Sequence, residues 1–141
     1  MDAGYSLCVG LTRALAEAGD RLASTAQIVS GWKGVEAATH RISIGADGPS
    51  PSISLSLEVR TQDEAFWMWV VEIRCDAEGW AVHDRRQGLG RRGEERATDM
   101  PTHRGATLDG LVERIGEVVT HVVRNVQGGW WLRAQPKRTN R

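Results

Sequence analysis

The chain has 141 residues, 40% hydrophobic and 26% charged, which predicts one globular domain and excludes a disordered chain. With 18 Lys+Arg against 18 Asp+Glu the formal net charge is zero, unlike the basic balance of a dedicated nucleic-acid protein. No apolar run approaches the roughly 20 residues of a membrane span, and the opening MDAGYSLCVG has no basic-then-apolar signal, so a cytoplasmic protein with no membrane partner is expected.

Leu7, Leu11, Leu15, Ala18 and Leu22 recur at spacings of three and four, the stripe of an amphipathic helix. Ser24 to Gly34 then reads as a linker, with Trp32 as a lid over one end of the core. Glu36 to Ile44 is the first expected strand, ended by the turn Asp47-Gly48-Pro49. Ile53 to Arg60 alternates apolar and polar without error, which predicts a strand with one buried and one wet face. After Gln62-Asp63-Glu64 comes Ala65 to Cys75, with Trp67, Trp69, Val71, Ile73 and Cys75 on one side and Phe66, Met68 and Val70 on the other. Asp76 to Gly79 turns, Trp80 to Asp84 opens a fourth strand, and a fifth is expected around Glu94 to Met100.

Thr107 is a good helix N-cap, and Leu108, Leu111, Val112, Ile115, Val118, Val119 and Val122 supply the stripe of a second helix. Gly110 and Gly116 inside it each cost roughly 1 kcal/mol relative to Ala; close approach of the helix to the sheet would account for them. Gly128-Gly129 ends the helix, and Trp130-Trp131-Leu132 is expected to fold back onto the body. The predicted fold is α+β: a helix, an antiparallel meander of four to five strands, and a C-terminal helix, with both helices on one sheet face. Residues 1–133 form the domain and 134–141 a basic, mobile tail.

Hairpin lengths set the register. The 62–64 connection pairs Val59 with Trp67, Leu57 with Trp69, Leu55 with Val71 and Ile53 with Ile73; the 76–79 turn pairs Cys75 with Trp80 and Ile73 with Val82. The inner face and the helices then bury Leu55, Leu57, Trp67, Trp69, Val71, Ile73, Trp80, Val82, Leu111, Ile115 and Val118. The outer face carries three rows: Ser54, Glu72 and His83; Ser56, Val70 and Arg85; Glu58, Met68 and Gln87.

The first row has the residue types of a hydrolytic triad, but the carboxylate sits where the imidazole must be and the serine lies on a flat strand, so no catalytic residue is assigned and an exposed Glu72–His83 pair is expected. His40, His83, His103 and His121 have no metal-ligand spacing, and Cys8 and Cys75 form no CxxC, so no metal is expected. His40 has inner-face parity opposite Leu57. Gly88-Leu89-Gly90-Arg91-Arg92-Gly93 lacks the strand–loop–helix setting of a dinucleotide fingerprint, and no cofactor is expected.

Two surfaces remain. Phe66, Met68 and Val70 make an apolar stripe inside a polar rim, with Arg85 beside it, the composition of a partner or dimer surface; the alternative is that Trp130 and Trp131 cover it. Arg86, Arg91, Arg92 and Arg96 on the 85–96 hairpin, with Trp130, Trp131 and Arg133 at the head of the 130–141 tail, could grip phosphates and stack bases. The leading expectation is a non-enzymatic interaction module of chaperone, adaptor or neutralising type, homodimeric through the outer face. The alternatives are a nucleic-acid binder using the arginines and tryptophans, and a ligand-binding protein or enzyme with a site between helices and sheet near Trp32, Trp67 and His40.

Overall fold

Alternating strands joined by short turns, and one helical stripe at either end, assemble into a single sheet with both helices against one face. The structure is a computed structural model describing residues 3–45, 52–76, 78–90 and 95–133, with residues 3–9, 76 and 133 described by their backbone. The elements are α1 (Ala3–Ser30), β1 (Val35–Gly45), β2 (Ser52–Thr61), β3 (Phe66–Asp76), β4 (Gly79–Leu89), β5 (Glu95–Asp99), β6 (His103–Gly105), α2 (Leu108–Gln127) and α3 (Trp130–Arg133). Sheet order is β1-β2-β3-β4-β5, all antiparallel, with β6 also on β4. The Asp47-Gly48-Pro49 turn, Arg91, Arg92, the side chains of Cys8 and Arg133, and the 134–141 tail lie outside what is described. No helix among the described residues is long and apolar enough to cross a membrane.

The registers are those expected from hairpin length: Val59 opposite Trp67, Leu57 opposite Trp69, Ile73 opposite Val82 and Cys75 opposite Trp80. The β2–β3 connection is a tight turn closed by Glu64 N–H donating to Thr61 O at 3.0 Å, after which Glu64 adopts φ 68°. That is the type I turn plus left-handed residue of a three-residue hairpin loop. The eleven expected core residues are buried, with the exception of Trp80, which is half-buried while its indole N–H donates to Thr107 O at 2.8 Å.

The expected linker at 24–34 is largely helix instead. α1 runs to Ser30 because Ala18, Leu22, Ala26 and Val29 continue its buried stripe. The hydroxyls that suggested a linker are satisfied inside the helix: Thr25 Oγ1 donates to Arg21 O and Ser30 Oγ to Ala26 O, both at 2.8 Å. Arg21 ties α1 to α2, donating to Thr120 Oγ1 at 2.7 Å and to Gly116 O at 3.3 Å.

In α2 the Thr107 cap forms as expected, accepting from Gly110 N at 3.1 Å. A Cβ on Gly110 would lie 3.4 Å from the Trp80 ring, which fits the close approach expected there, but Gly116 has nothing within 4 Å and no steric need to be glycine.

The edge beside β4 is built from two pieces. β5 pairs with Arg85 to Leu89 and β6 with Trp80 to Val82, so pairing fails around His83 and Asp84. Met100 N–H still donates to Asp84 O at 3.0 Å, but Pro101 has no N–H to offer, and the strand breaks there. This break opens one side of Asp84.

Candidate functional site

Among the described residues no helix lies on the outer face of the sheet, and its rows are those expected from the registers. Phe66 and Met68 are half-buried, and Val70 is buried. Leu89, directly opposite Phe66 and 44% exposed, extends the stripe beyond the three residues expected. Strand parity is the signal that finds it, since it lies two residues beyond Gln87 and so shares its face. One row thus runs Arg60, Phe66, Leu89, Glu95 across four strands.

The tryptophans do not cover this stripe. Trp131 is fully buried on the inner side, stacked with Trp32 (centroids 6.1 Å, 7° apart) and edge-on to Trp69 at 5.9 Å, with its N–H on Val126 O. Trp130 meets Trp67 edge-on at 5.1 Å. They close the end of the core, with Trp32 as the lid.

The expected Glu72–His83 pair does not form, although the residues are opposite each other. Arg85 reaches Glu72 at 3.5 Å, and His83 Nε2 lies 3.1 Å from Asp99 Oδ1 with its Nδ1 3.3 Å from Thr102 Oγ1. The β5 edge delivers Asp99 and Thr102 to the imidazole, and the long guanidinium takes the carboxylate instead. Both histidine nitrogens are occupied, and neither is turned to Ser54 or Glu72.

The arginine set divides between the two faces, because successive residues on a strand point to opposite sides. Arg85 is on the outer face. Arg86 is on the inner face, its guanidinium 4.6 Å from the Trp130 ring centroid and its Nη1 donating to Asn125 Oδ1 at 3.4 Å. Arg96 is exposed on β5, opposite Gly88. Asn125 Oδ1 also accepts from Trp69 Nε1 at 2.9 Å and Trp130 Nε1 at 3.0 Å. Arg86, Trp130 and Trp131 are therefore parts of one packed cluster, and Trp131 has no face left for a base.

Near the inner-face position considered for a ligand, Trp32 packs on Trp131 and Trp67 on Trp130, and His40 is exposed. No metal-binding group of His, Cys, Asp or Glu occurs among the described residues.

A cleft of about 220 Å³ lies instead between α2 and the broken edge of β4. Asp84, Met100, Pro101 and His103 line its sheet side; Arg114, Glu117, Val118 and His121 line its helix side. Asp84 is only 7% exposed, and burial holds its carboxyl above the ordinary carboxylate value, opposed by the weaker pulls of His121, His83, a hydrogen bond from its own backbone, and His103. The sequence carried one signal for this site. Trp80, Val82 and Asp84 share inward parity, so the aspartate is a charge at a core position. No family model, curated protein or solved structure matches the chain.

Proposed function

We propose that the protein is an interaction module that works through the outer face of its sheet, with a second copy of the chain as occupant. The observation that carries this reading is the row Arg60, Phe66, Leu89, Glu95, apolar at its centre and oppositely charged at its ends. A twofold axis running along the strands between β3 and β4 sets Phe66 against the partner's Leu89 and Arg60 against the partner's Glu95. The surface is then self-complementary, as a twofold interface requires. Met68 and Val70 extend the apolar centre, and Glu58, Gln87 and Arg85 form the polar rim around it. Two sheets meeting this way stack about 10 Å apart, the spacing of a β-sandwich.

Sedimentation equilibrium tests it. The wild type should dimerise, and Met68→Glu should be monomeric with an unchanged circular dichroism spectrum. Arg60→Glu alone should weaken the dimer, and Arg60→Glu with Glu95→Arg should restore it. A wild type that stays monomeric at millimolar concentration refutes the second copy as occupant.

The nucleic-acid reading finds less support, since Arg86, Trp130 and Trp131 are engaged with Asn125, Trp67 and Trp69.

A further inference from the structure

We propose that the cleft between α2 and the broken β5–β6 edge binds a small organic cation, an amine on a compact apolar body, with its nitrogen on the carboxylate of Asp84. Asp84 is 7% exposed and lines the cleft, and its carboxyl takes a hydrogen bond from its own backbone but none from a side chain among the described residues. One backbone donor leaves most of the lone pairs of a largely buried carboxylate unmet and its charge unpaired, so a cationic donor from outside the chain gains more there than at a solvated site.

The charged and titratable groups on every element around Asp84 leave that role open. On β4, His83 is turned to the outer face with Asp99 and Thr102, and Arg86 is held by Asn125 and Trp130. On α2, Arg114 lies 3.7 Å from Glu117, so its charge is already matched. His103 of β6 and His121 of α2 line the cleft and make no hydrogen bond to the carboxylate.

The remaining walls define the rest of the ligand. Met100, Pro101 and Val118 offer apolar contact. The cleft's volume of about 220 Å³ exceeds the roughly 150 Å³ of a cavity that takes benzene, the scale of a ring or short chain bearing one amine. Behind Asp84, towards Trp69, Arg86 and Asn125, the hollow is only about 10 Å³, room for one water at most, so the ligand approaches from the cleft. Arg114 and Glu117 offset each other, so an anion would face the unpaired carboxylate of Asp84.

The test is an amide and methyl NMR titration of the full chain with benzylammonium chloride, and with sodium benzoate as the anionic counterpart. Benzylammonium should give saturable shifts at Met100, His103, Val118 and His121. Asp84→Asn, which keeps the shape of the site, should weaken binding about tenfold or more. Affinity should also fall in acid, because a protonated carboxyl no longer attracts a cation. Three results would overturn the proposal: no saturable shift at these residues, equal affinity in Asp84→Asn, or benzoate binding at the cleft in place of the amine.

Discussion

The indole of Trp67 occupies the space that a side chain on Gly88, its cross-strand partner, would need. Trp80 does the same over Gly105, its partner on β6. Each pair is a large ring laid over a bare stretch of neighbouring backbone, which covers the glycine and gives the ring a flat seat. Two of the inward-facing tryptophans therefore have glycine partners for steric reasons.

Substitution at Gly88 has a sign that separates this account from simple strand propensity. Propensity alone favours Ala over Gly within a strand. With Trp67 in the way, Gly88→Ala should instead destabilise the fold by roughly 1–3 kcal/mol, the usual cost of overpacking. Urea denaturation followed by tryptophan fluorescence measures it; a variant as stable as the wild type would show that the ring moves aside freely.

Gly116 is the contrasting case. It sits inside α2, and a methyl on its α-carbon would meet nothing within 4 Å. Gly116→Ala should stabilise the protein by about 0.5–1 kcal/mol, through helix propensity and a less disordered unfolded chain. The carbonyl that accepts from Arg21 and Thr120 is retained. A higher thermal midpoint is expected, and a lower one would reveal a packing role for the bare backbone.

Asn125 gathers Trp69, Trp130 and Arg86 on one oxygen, at 2.9, 3.0 and 3.4 Å. Three donors converging on one atom identify it as the amide oxygen. Asn125→Ala leaves the two indole N–H groups without their acceptor in a largely dry cluster, at a cost of about 2–4 kcal/mol in total. Asn125→Asp keeps an acceptor and should lie much closer to the wild type. Equal losses in the two variants, read from denaturation midpoints, would show that the amide nitrogen matters and the oxygen hub does not.

Asp84 makes stability depend on pH in an unusual direction for a carboxylate. Burial raises its folded-state value above that of the unfolded chain, so the folded state holds the proton more tightly. The penalty is absent below the unfolded value, grows as pH rises towards the raised folded value, and stays constant above it. Asp84→Asn should therefore be more stable than the wild type at neutral pH, with the gain disappearing in acid. Matched thermal melts across that range check the sign; a variant less stable at neutral pH would mean that the carboxylate is paired in solution.

Much of the fold was legible because it rests on local periodicity. The error-free alternation of Ile53 to Arg60 and the short 62–64 connection were enough to set Leu57 opposite Trp69, and the Thr107 cap marked where α2 begins. The end of α1 was not legible, because Ser24, Thr25 and Ser30 have turn-forming side chains, and only the neighbouring helix and sheet show that Ala26 and Val29 are buried.

The candidate sites divide in the same way. The outer stripe of Phe66, Met68 and Val70 follows from strand parity, a period of two residues that the chain carries without reference to distant segments. The cleft does not. Its lining comes from β4, from the Met100-Pro101 break and from α2, segments up to 37 positions apart in the chain that meet only when the helix crosses the sheet edge. The same holds for the tryptophan cluster, where Asn125 serves rings from β3 and α3. Amino-acid order alone determined which side chains face in and which face out, because that is backbone geometry. Which inward groups become neighbours, and whether a buried charge such as Asp84 meets a partner or an open cleft, was decided by how α2 and the broken edge pack, a long-range balance of burial that no local pattern encodes.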